Sequence, residues 1–331
     1  MNRRIEVEVT RGAFTESRHV GDAVVAEADG TPRELWGDGA AAILPRSAIK
    51  MIQALPLAGS GAPELGEMRL ALAAASHQGA ALHTDAVRAW LAEMGLDEGA
   101  LACGPQPPGD GETRAALTRA GRRPGPVHNN CSGKHAGFLA LARHLGAPSD
   151  GYLDPDHPVQ RAVLAAFEEM TGEVSAGHAI DGCSAPNFAA SLGGIARAMA
   201  RFAAARRDSA DPRDRAAARI TAAMAARPDL VAGEGRACTD LIRASGGRAV
   251  LKTGAEGVFT AILPERRLGI ALKIADGGMR AAECAITALL VRHGALDGAD
   301  PAVRRRLTAP IVNWAGCETG VVRPAGALME M

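Results

Sequence analysis

The chain has 331 residues, 47% hydrophobic and 22% charged, with 37 basic side chains balanced by 37 acidic ones. That length allows a large core, in one domain or two interwoven ones. The zero net charge and 3% aromatic content exclude a nucleic-acid binder built on a basic stripe interleaved with aromatics, and charge or glycine breaks every apolar run before it reaches membrane-spanning length.

Residues 1–9 alternate polar and apolar, the period of a strand rather than the apolar core of a secretion signal. The first 45 residues read as short strands joined by tight turns such as Ala28-Asp29-Gly30-Thr31-Pro32. From Arg46 to Leu57 the period becomes helical, with Ile49, Ile52 and Leu55 on related faces, and residues 66–78 and 84–95 read as two more helices. A Gly/Pro-rich loop spans Cys103 to Gly111. Residues 129–145 begin as a small-residue loop and become a helix. Pro158 to Met170 and the Ala/Arg-rich stretch 190–226 read as helical, the arginines forming a solvated face. Strand patterns return at 249–252, 257–262 and 268–273. A helix over 279–293 and a tail of strand or coil complete the chain.

Strands, then helices, then strands predict a mixed α/β (α+β) fold whose sheet is assembled from both chain ends. The α/β part covers roughly 1–75 and 235–331 and a mainly helical part roughly 76–234, together one catalytic unit. A parallel Rossmann layout fits poorly, because no G-x-G-x-x-G follows the first strand. The expected setting is the cytoplasm, where six cysteines are reduced thiols or metal ligands rather than disulfides.

Only Lys50, Lys134, Lys252 and Lys273 are lysines; every other basic side chain is arginine. Arginine keeps its proton in proteins, whereas a buried lysine can become a neutral amine. Ser47-x-x-Lys50 puts a hydroxyl and an amine on one helical face, the amine a potential base for a serine nucleophile. Lys252-Thr253-Gly254, read as a strand running into a turn, supplies a second lysine. S-x-x-K with K-T-G forms the outer motifs of β-lactamases and penicillin-binding proteins, although the middle S-D-N is missing. Ser76-His77-Gln78-Gly79 follows an apolar helix and offers a second serine, with His77 a capping or core-edge residue. Lys252 read alone would be an ordinary strand lysine.

Two further segments are dense in polar and ligating groups: His128-Asn129-Asn130-Cys131-Ser132-Gly133-Lys134-His135 and Asp181-Gly182-Cys183-Ser184-Ala185-Pro186-Asn187. Their thiols suggest half of a zinc site, or small buried core residues. His135 would be the ordinary third ligand and a neutral Lys134 the unusual one. Cys103, Cys238, Cys284 and Cys317 sit in less polar settings that read as structural.

Taken together, these segments and Lys252-Thr253-Gly254-Ala255-Glu256-Gly257 resemble the Rhizobium etli-type L-asparaginases, also called class 3 or asparaginase II, over about residues 5–325. The resemblance implies hydrolysis of L-asparagine to L-aspartate and ammonia, a fold akin to serine β-lactamases and glutaminases, and a homodimer. It implies two serine–lysine tandems, Ser47 with Lys50 and Ser76 with Lys252, and a zinc (Zn2+) site at Cys131, Lys134 and Cys183 with Asp181 nearby. Ser47 is the expected nucleophile, because its lysine lies one turn away. Arg46, His135 and Asp181 are the expected substrate contacts. No nucleic acid or membrane partner is expected. Two other classes fit the same residues: a β-lactamase-like esterase or peptidase, and a non-catalytic zinc protein.

Overall fold

The computed structural model describes residues 3–61 and 65–329. Its strands are β1 (Ile5–Arg11), β2 (Phe14–Glu27), β3 (Pro32–Trp36), β4 (Ala42–Ile43), β5 (His178–Ile180), β6 (Pro186–Phe188), β7 (Ala190–Ser191), β8 (Val250–Thr253), β9 (Val258–Leu263), β10 (Leu268–Ile274), β11 (Ala309–Val312) and β12 (Glu318–Ala325). Its α-helices are α1 (Lys50–Gly59), α2 (Glu67–Ala73), α3 (Ala81–Glu93), α4 (Gly111–Arg119), α5 (Ser132–His144), α6 (Pro158–Thr171), α7 (Leu192–Ala204), α8 (Pro212–Ala226), α9 (Pro228–Val231), α10 (Ala237–Ala244), α11 (Met279–Arg292) and α12 (Pro301–Leu307). None of the described helices is long and apolar enough to cross a membrane.

Two compact units emerge, and the chain passes between them more than once. The first comprises residues 1–48, 190–204 and 240–331. It holds an antiparallel sheet in the order β11-β12-β1-β2-β10-β9-β8, with β3 paired to β2. The sheet is assembled from both chain ends, as the pattern predicts: Val9 of β1 lies opposite Val322 of β12, and Val25 of β2 opposite Ile270 of β10. β9 is buried along its whole length, and so is β10 apart from Lys273. Their apolar residues do not alternate with polar ones because both faces are covered. α7 packs on β10 and β2, and α11 on β12, β9 and β1.

The second unit comprises residues 49–189 and 205–239 and is mainly helical. α1 is its central element: Met51, Ile52, Leu55 and Leu57 are buried, and it packs against α5, α6 and α8. The stretch 190–226, expected to be helical, is the short strand β7 followed by α7 and α8. Asp211 caps α8 by accepting from the Arg213 N–H, and Pro212 occupies its first position, so the chain between them cannot continue α7. The helix expected over 66–78 stops at Ala73, and the Ser76 N–H donates instead to Val231 O at 2.9 Å.

Candidate active site

The Ser47 segment is tighter than the helix expected there. Arg46–Ile49 form a 3-10 turn and Lys50 is the first residue of α1. Ser47 lies within that turn, three residues before Lys50 in sequence. Arg46 adopts φ +54°, a left-handed conformation that costs a side-chain-bearing residue energy and clusters at functional sites.

Within the sheet unit, this turn is tied to the Lys252 segment. The Thr260 hydroxyl on β9 lies 2.8 Å from Ala48 O and 3.3 Å from Lys252 O, the second across the β8–β9 pair. Gly254 follows β8, and a Cβ there would stand 2.7 Å from Pro45 O and 3.1 Å from Ala48 N, so only glycine admits the approach. Lys252 is buried, and its amine donates to Thr253 O at 2.7 Å.

Within the helical unit, Lys50 is the hub. It is 1% exposed, and its Nζ donates to Ala75 O at 2.5 Å and Asn130 O at 3.4 Å. Those carbonyls immediately precede Ser76 and Cys131. Three segments far apart in sequence therefore meet at one amine. His77 proves to be a buried connector rather than a cap. Its Nδ1 accepts from the Gly79 N–H, which leaves Nε2–H to donate to the Ser132 hydroxyl at 2.9 Å, and the Ser132 hydroxyl donates to Val127 O. Burial foremost, with His83 and Lys50 adding to it, drives the His77 pKa well down, so the ring is neutral.

The thiol cluster forms where the start of α5 meets the β5–β6 hairpin. Lys134 Nζ lies 3.1 Å from Cys183 Sγ. Cys131 bonds Asn130 Oδ1 at 2.9 Å and also interacts with Cys183. That Cys131 interaction, helped by Lys134 and His135, outweighs burial and holds the Cys183 pKa far below the ordinary thiol value, while the Cys131 pKa is driven far up. Charge is therefore favoured on Cys183 over Cys131. Burial works against charge on Lys134, but the two sulfurs prevail and raise its pKa. Asp181 opens the hairpin turn, its carboxylate accepting from the Gly182 N–H at 2.7 Å, and it reinforces the charge on Lys134.

His135 is fully buried, and burial lowers its pKa to about 4. Its Nδ1 lies 2.7 Å from the Tyr152 hydroxyl, and the ring also interacts with the Cys183 sulfur. Two buried sulfurs, one carrying charge, beside an amine suit the soft preference of zinc. No cluster of three or more His, Cys, Asp or Glu side chains suited to a metal occurs among the described residues, so zinc here requires Lys134 as a ligand. The remaining cysteines are as expected in part: Cys103, Cys238 and Cys284 are buried, but Cys317 is an exposed thiol in the β11–β12 turn. Burial raises the pKa of Cys103 and Cys284 to about 12.

Sequence reasoning missed Thr260, the Asn130 main-chain carbonyl as an acceptor shared by Lys50 Nζ and the His77 N–H, and Tyr152. Asn130 lay inside a segment already singled out, and Tyr152 is the only tyrosine in the chain.

No curated protein matches the chain. Among solved structures it is similar to Mglu in its glutamate form (TM-score 0.45, 13% identity, 83% of this chain and 61% of that one) and in its native form (0.44, 14%, 85% and 66%). A β-lactamase from Mycobacterium bovis gives TM-score 0.40 at 14% identity, over 83% of this chain and 95% of that one. The chain thus spans under two thirds of the length of the glutamate-form Mglu chain. The model of the L-asparaginase II family matches residues 7–324. The chain belongs to the L-asparaginase II family, and so to the amidohydrolases.

Proposed function

We propose that this amidohydrolase is an L-asparaginase of the Rhizobium etli type that hydrolyses L-asparagine to L-aspartate and ammonia through a serine-bound acyl intermediate. The observation that carries the reading is Lys50: a fully buried amine, one turn after Ser47, bonded to the carbonyls before Ser76 and Cys131. As a base it works as a neutral amine, whose two N–H groups match those two carbonyls and leave the lone pair for a hydroxyl proton. Ser47 Oγ then attacks the side-chain amide carbon as its proton passes to Lys50. That proton goes to the leaving nitrogen, which departs as ammonia. Water attacks the β-aspartyl ester, its proton returns through Lys50, and Ser47 leaves as a free hydroxyl. Backbone amides at the Ser47 or Ser76 turn are the candidate oxyanion donors.

Ser76 and Lys252 are read as the second tandem, either tuning Lys50 or exchanging roles with it. Arg46, His135 and Asp181 are read as substrate contacts. Cys131, Lys134 and Cys183 would hold zinc, supported by the charged Cys183 sulfur and the buried amine beside it. When bound, zinc would supply positive charge to position the substrate. The expected form is a cytoplasmic homodimer.

Ammonia release from L-asparagine by the wild type and by Ser47→Ala, Lys50→Met, Ser76→Ala and Lys252→Met tests the reading. Loss at Ser47 and Lys50 with partial loss at the other pair supports it. Complete loss only at Ser76 and Lys252 exchanges the tandems, and an inactive wild type sinks it. A second reading, a β-lactamase-like esterase, is favoured by Gly254 of Lys252-Thr253-Gly254 lying against Pro45 and Ala48. A stable penicillin adduct on Ser47, seen by mass spectrometry, would support that instead.

A further inference from the structure

We propose that Lys273 is a positioning residue, whose amine holds the strained turn that closes the β8–β9 hairpin and, through Gly254, fixes the backbone on either side of Ser47. The inference deepens the asparaginase reading, since it takes Ser47 as a reacting group.

Residues 255–258 form the turn. The Val258 N–H donates to Ala255 O at 3.3 Å, and the two residues between them are both left-handed, Glu256 at φ +56° and Gly257 at φ +69°. That pairing marks a type I′ hairpin turn, whose first central position ordinarily holds glycine, asparagine or aspartate. A glutamate there is strained, because its Cβ crowds the following carbonyl, and such strain persists only where the surroundings over-determine it. Gly257 is pinned by β10 and the loop after it. Its carbonyl accepts from the Ile274 N–H at 2.9 Å, and a Cβ on it would stand 2.9 Å from Ile274 Cβ and 3.1 Å from Gly277 Cα. Glu256 is held by Lys273, whose Nζ donates to Glu256 O at 2.6 Å. The same amine donates to Ile274 O at 2.7 Å, so one nitrogen ties the strained residue to the end of β10.

The turn bears on Ser47 through Gly254. The Gly254 N–H donates to Val258 O at 2.8 Å, so the last residue of the turn sets where Gly254 lies. Gly254 in turn rests on Pro45 and Ala48, where a Cβ would stand 2.7 Å from Pro45 O and 3.1 Å from Ala48 N. Those two residues flank the Arg46-Ser47 pair, and Arg46 is itself left-handed at φ +54°. Backbone meets backbone at this contact, so a shift of Gly254 is passed on rather than absorbed by a flexible side chain. Without the Lys273 amine the turn relaxes toward a form that glutamate tolerates, and Gly254 moves with it.

The test is ammonia release from L-asparagine together with amide hydrogen exchange. Both are recorded for wild type, Lys273→Met, Lys273→Arg and the double variant Lys273→Met/Glu256→Gly, at a temperature where circular dichroism shows each fully folded. Lys273→Met should lower kcat about tenfold and change KM less than about threefold, because a small shift of Ser47 misaligns attack more than it weakens binding. The Gly254 and Val258 amides should exchange about tenfold faster while the β2–β10 amides stay protected, a local pattern that general loosening would not give. Glycine adopts φ +56° without strain, so Glu256→Gly in the double variant should restore kcat to within about threefold of wild type. Lys273→Arg should recover part of the loss. If Lys273→Met does not fold alone, Lys273→Arg and the double variant carry the same comparison. Wild-type kcat in Lys273→Met overturns the proposal, as does a loss that Glu256→Gly leaves uncorrected, or unchanged exchange at Gly254 and Val258. Exchange needs no turnover, so an inactive wild type in which Lys273→Met still frees those two amides would overturn the asparaginase reading alone.

Discussion

Gly133 and Gly137 lie one turn apart in α5, and alanine at the two positions should act oppositely. Alanine in a helix interior gains up to about 1 kcal/mol over glycine at either position. Their surroundings differ. A Cβ on Gly133 would stand 2.5 Å from the backbone oxygen of Leu72 and 3.1 Å from its carbonyl carbon, whereas one on Gly137 meets only side chains: Ala73 Cβ at 3.3 Å, Leu57 Cδ2 at 3.6 Å and Trp90 Cη2 at 3.7 Å. Carbon–oxygen contacts ordinarily begin near ~3.3 Å. The start of α5 must therefore move most of an ångström away from α2. Overpacking of that kind costs about 1–3 kcal/mol. Propensity cancels between the two variants, so Gly133→Ala should melt below Gly137→Ala by roughly 2–12 °C, at about 2–4 °C per kcal/mol for a unit of this size. Gly133 also sits between Cys131 and Lys134, the proposed metal ligands that would position substrate, and a misplacement approaching 1 Å there should cost on the order of 10²-fold in rate. Thermal unfolding by circular dichroism and ammonia release measure both effects. A Gly133→Ala protein as stable and as active as Gly137→Ala would refute the close approach of α5 to α2.

Three other outcomes are expected. Cys183→Ala removes the charged sulfur that Lys134 faces, and the purified variant should retain little zinc by elemental analysis; full zinc content would show that another set of ligands holds the metal. His77 and His83 are held neutral chiefly by burial, with pKa values lowered, while in the unfolded chain they protonate near about 6.5. The unfolded state therefore binds more protons below that pH, and stability, full above it, should fall with acidification by up to about 1.4 kcal/mol per pH unit for each histidine. Urea unfolding between pH 7 and 5 checks the sign, and stability that rose over that interval would contradict it. Lys273→Met strips a donor from Glu256 O and Ile274 O, at 2.6 and 2.7 Å, and should cost about 1–3 kcal/mol in urea unfolding, with partial recovery in Lys273→Arg.

Much of the fold could be read from periodicity, because β9, β10 and α6 are long, apolar and bounded by clear turn residues. The exchange of segments between the units could not. Nothing in the local pattern of 190–226 says that α7 serves the sheet while α8 serves the helices; only the Asp211-Pro212 pair marked the break. The candidate site was read from residue types, since serines, lysines and cysteines stood in unusual company. Its wiring was not. Lys50 is held by main-chain carbonyls of Ala75 and Asn130, and carbonyls leave no trace in a sequence. Thr260 and Tyr152 act through one hydroxyl each from distant elements, and a lone hydroxyl carries no spacing pattern to detect.

The sparing use of lysine has a physical reading that the four positions now support. Lys50, Lys134 and Lys252 are each at most 2% exposed, while arginine makes surface salt bridges such as Arg206–Asp208, Arg213–Glu169 and Arg323–Glu8. A guanidinium carries five donors in a rigid fork and never gives up its charge. It suits a carboxylate at the surface and fits poorly where one atom must face one carbonyl or one sulfur. At Lys50 the fork would present more donors than the carbonyls of Ala75 and Asn130 can accept. At Lys134 a permanent charge would preserve the attraction to Cys183 but could never yield the bare nitrogen that a metal requires. Lys273 extends the rule beyond chemistry: its single nitrogen closes the turn behind Lys252-Thr253-Gly254, where Glu256 takes φ +56°. In each case the property selected is a compact nitrogen that can be directed at main-chain oxygen or at sulfur.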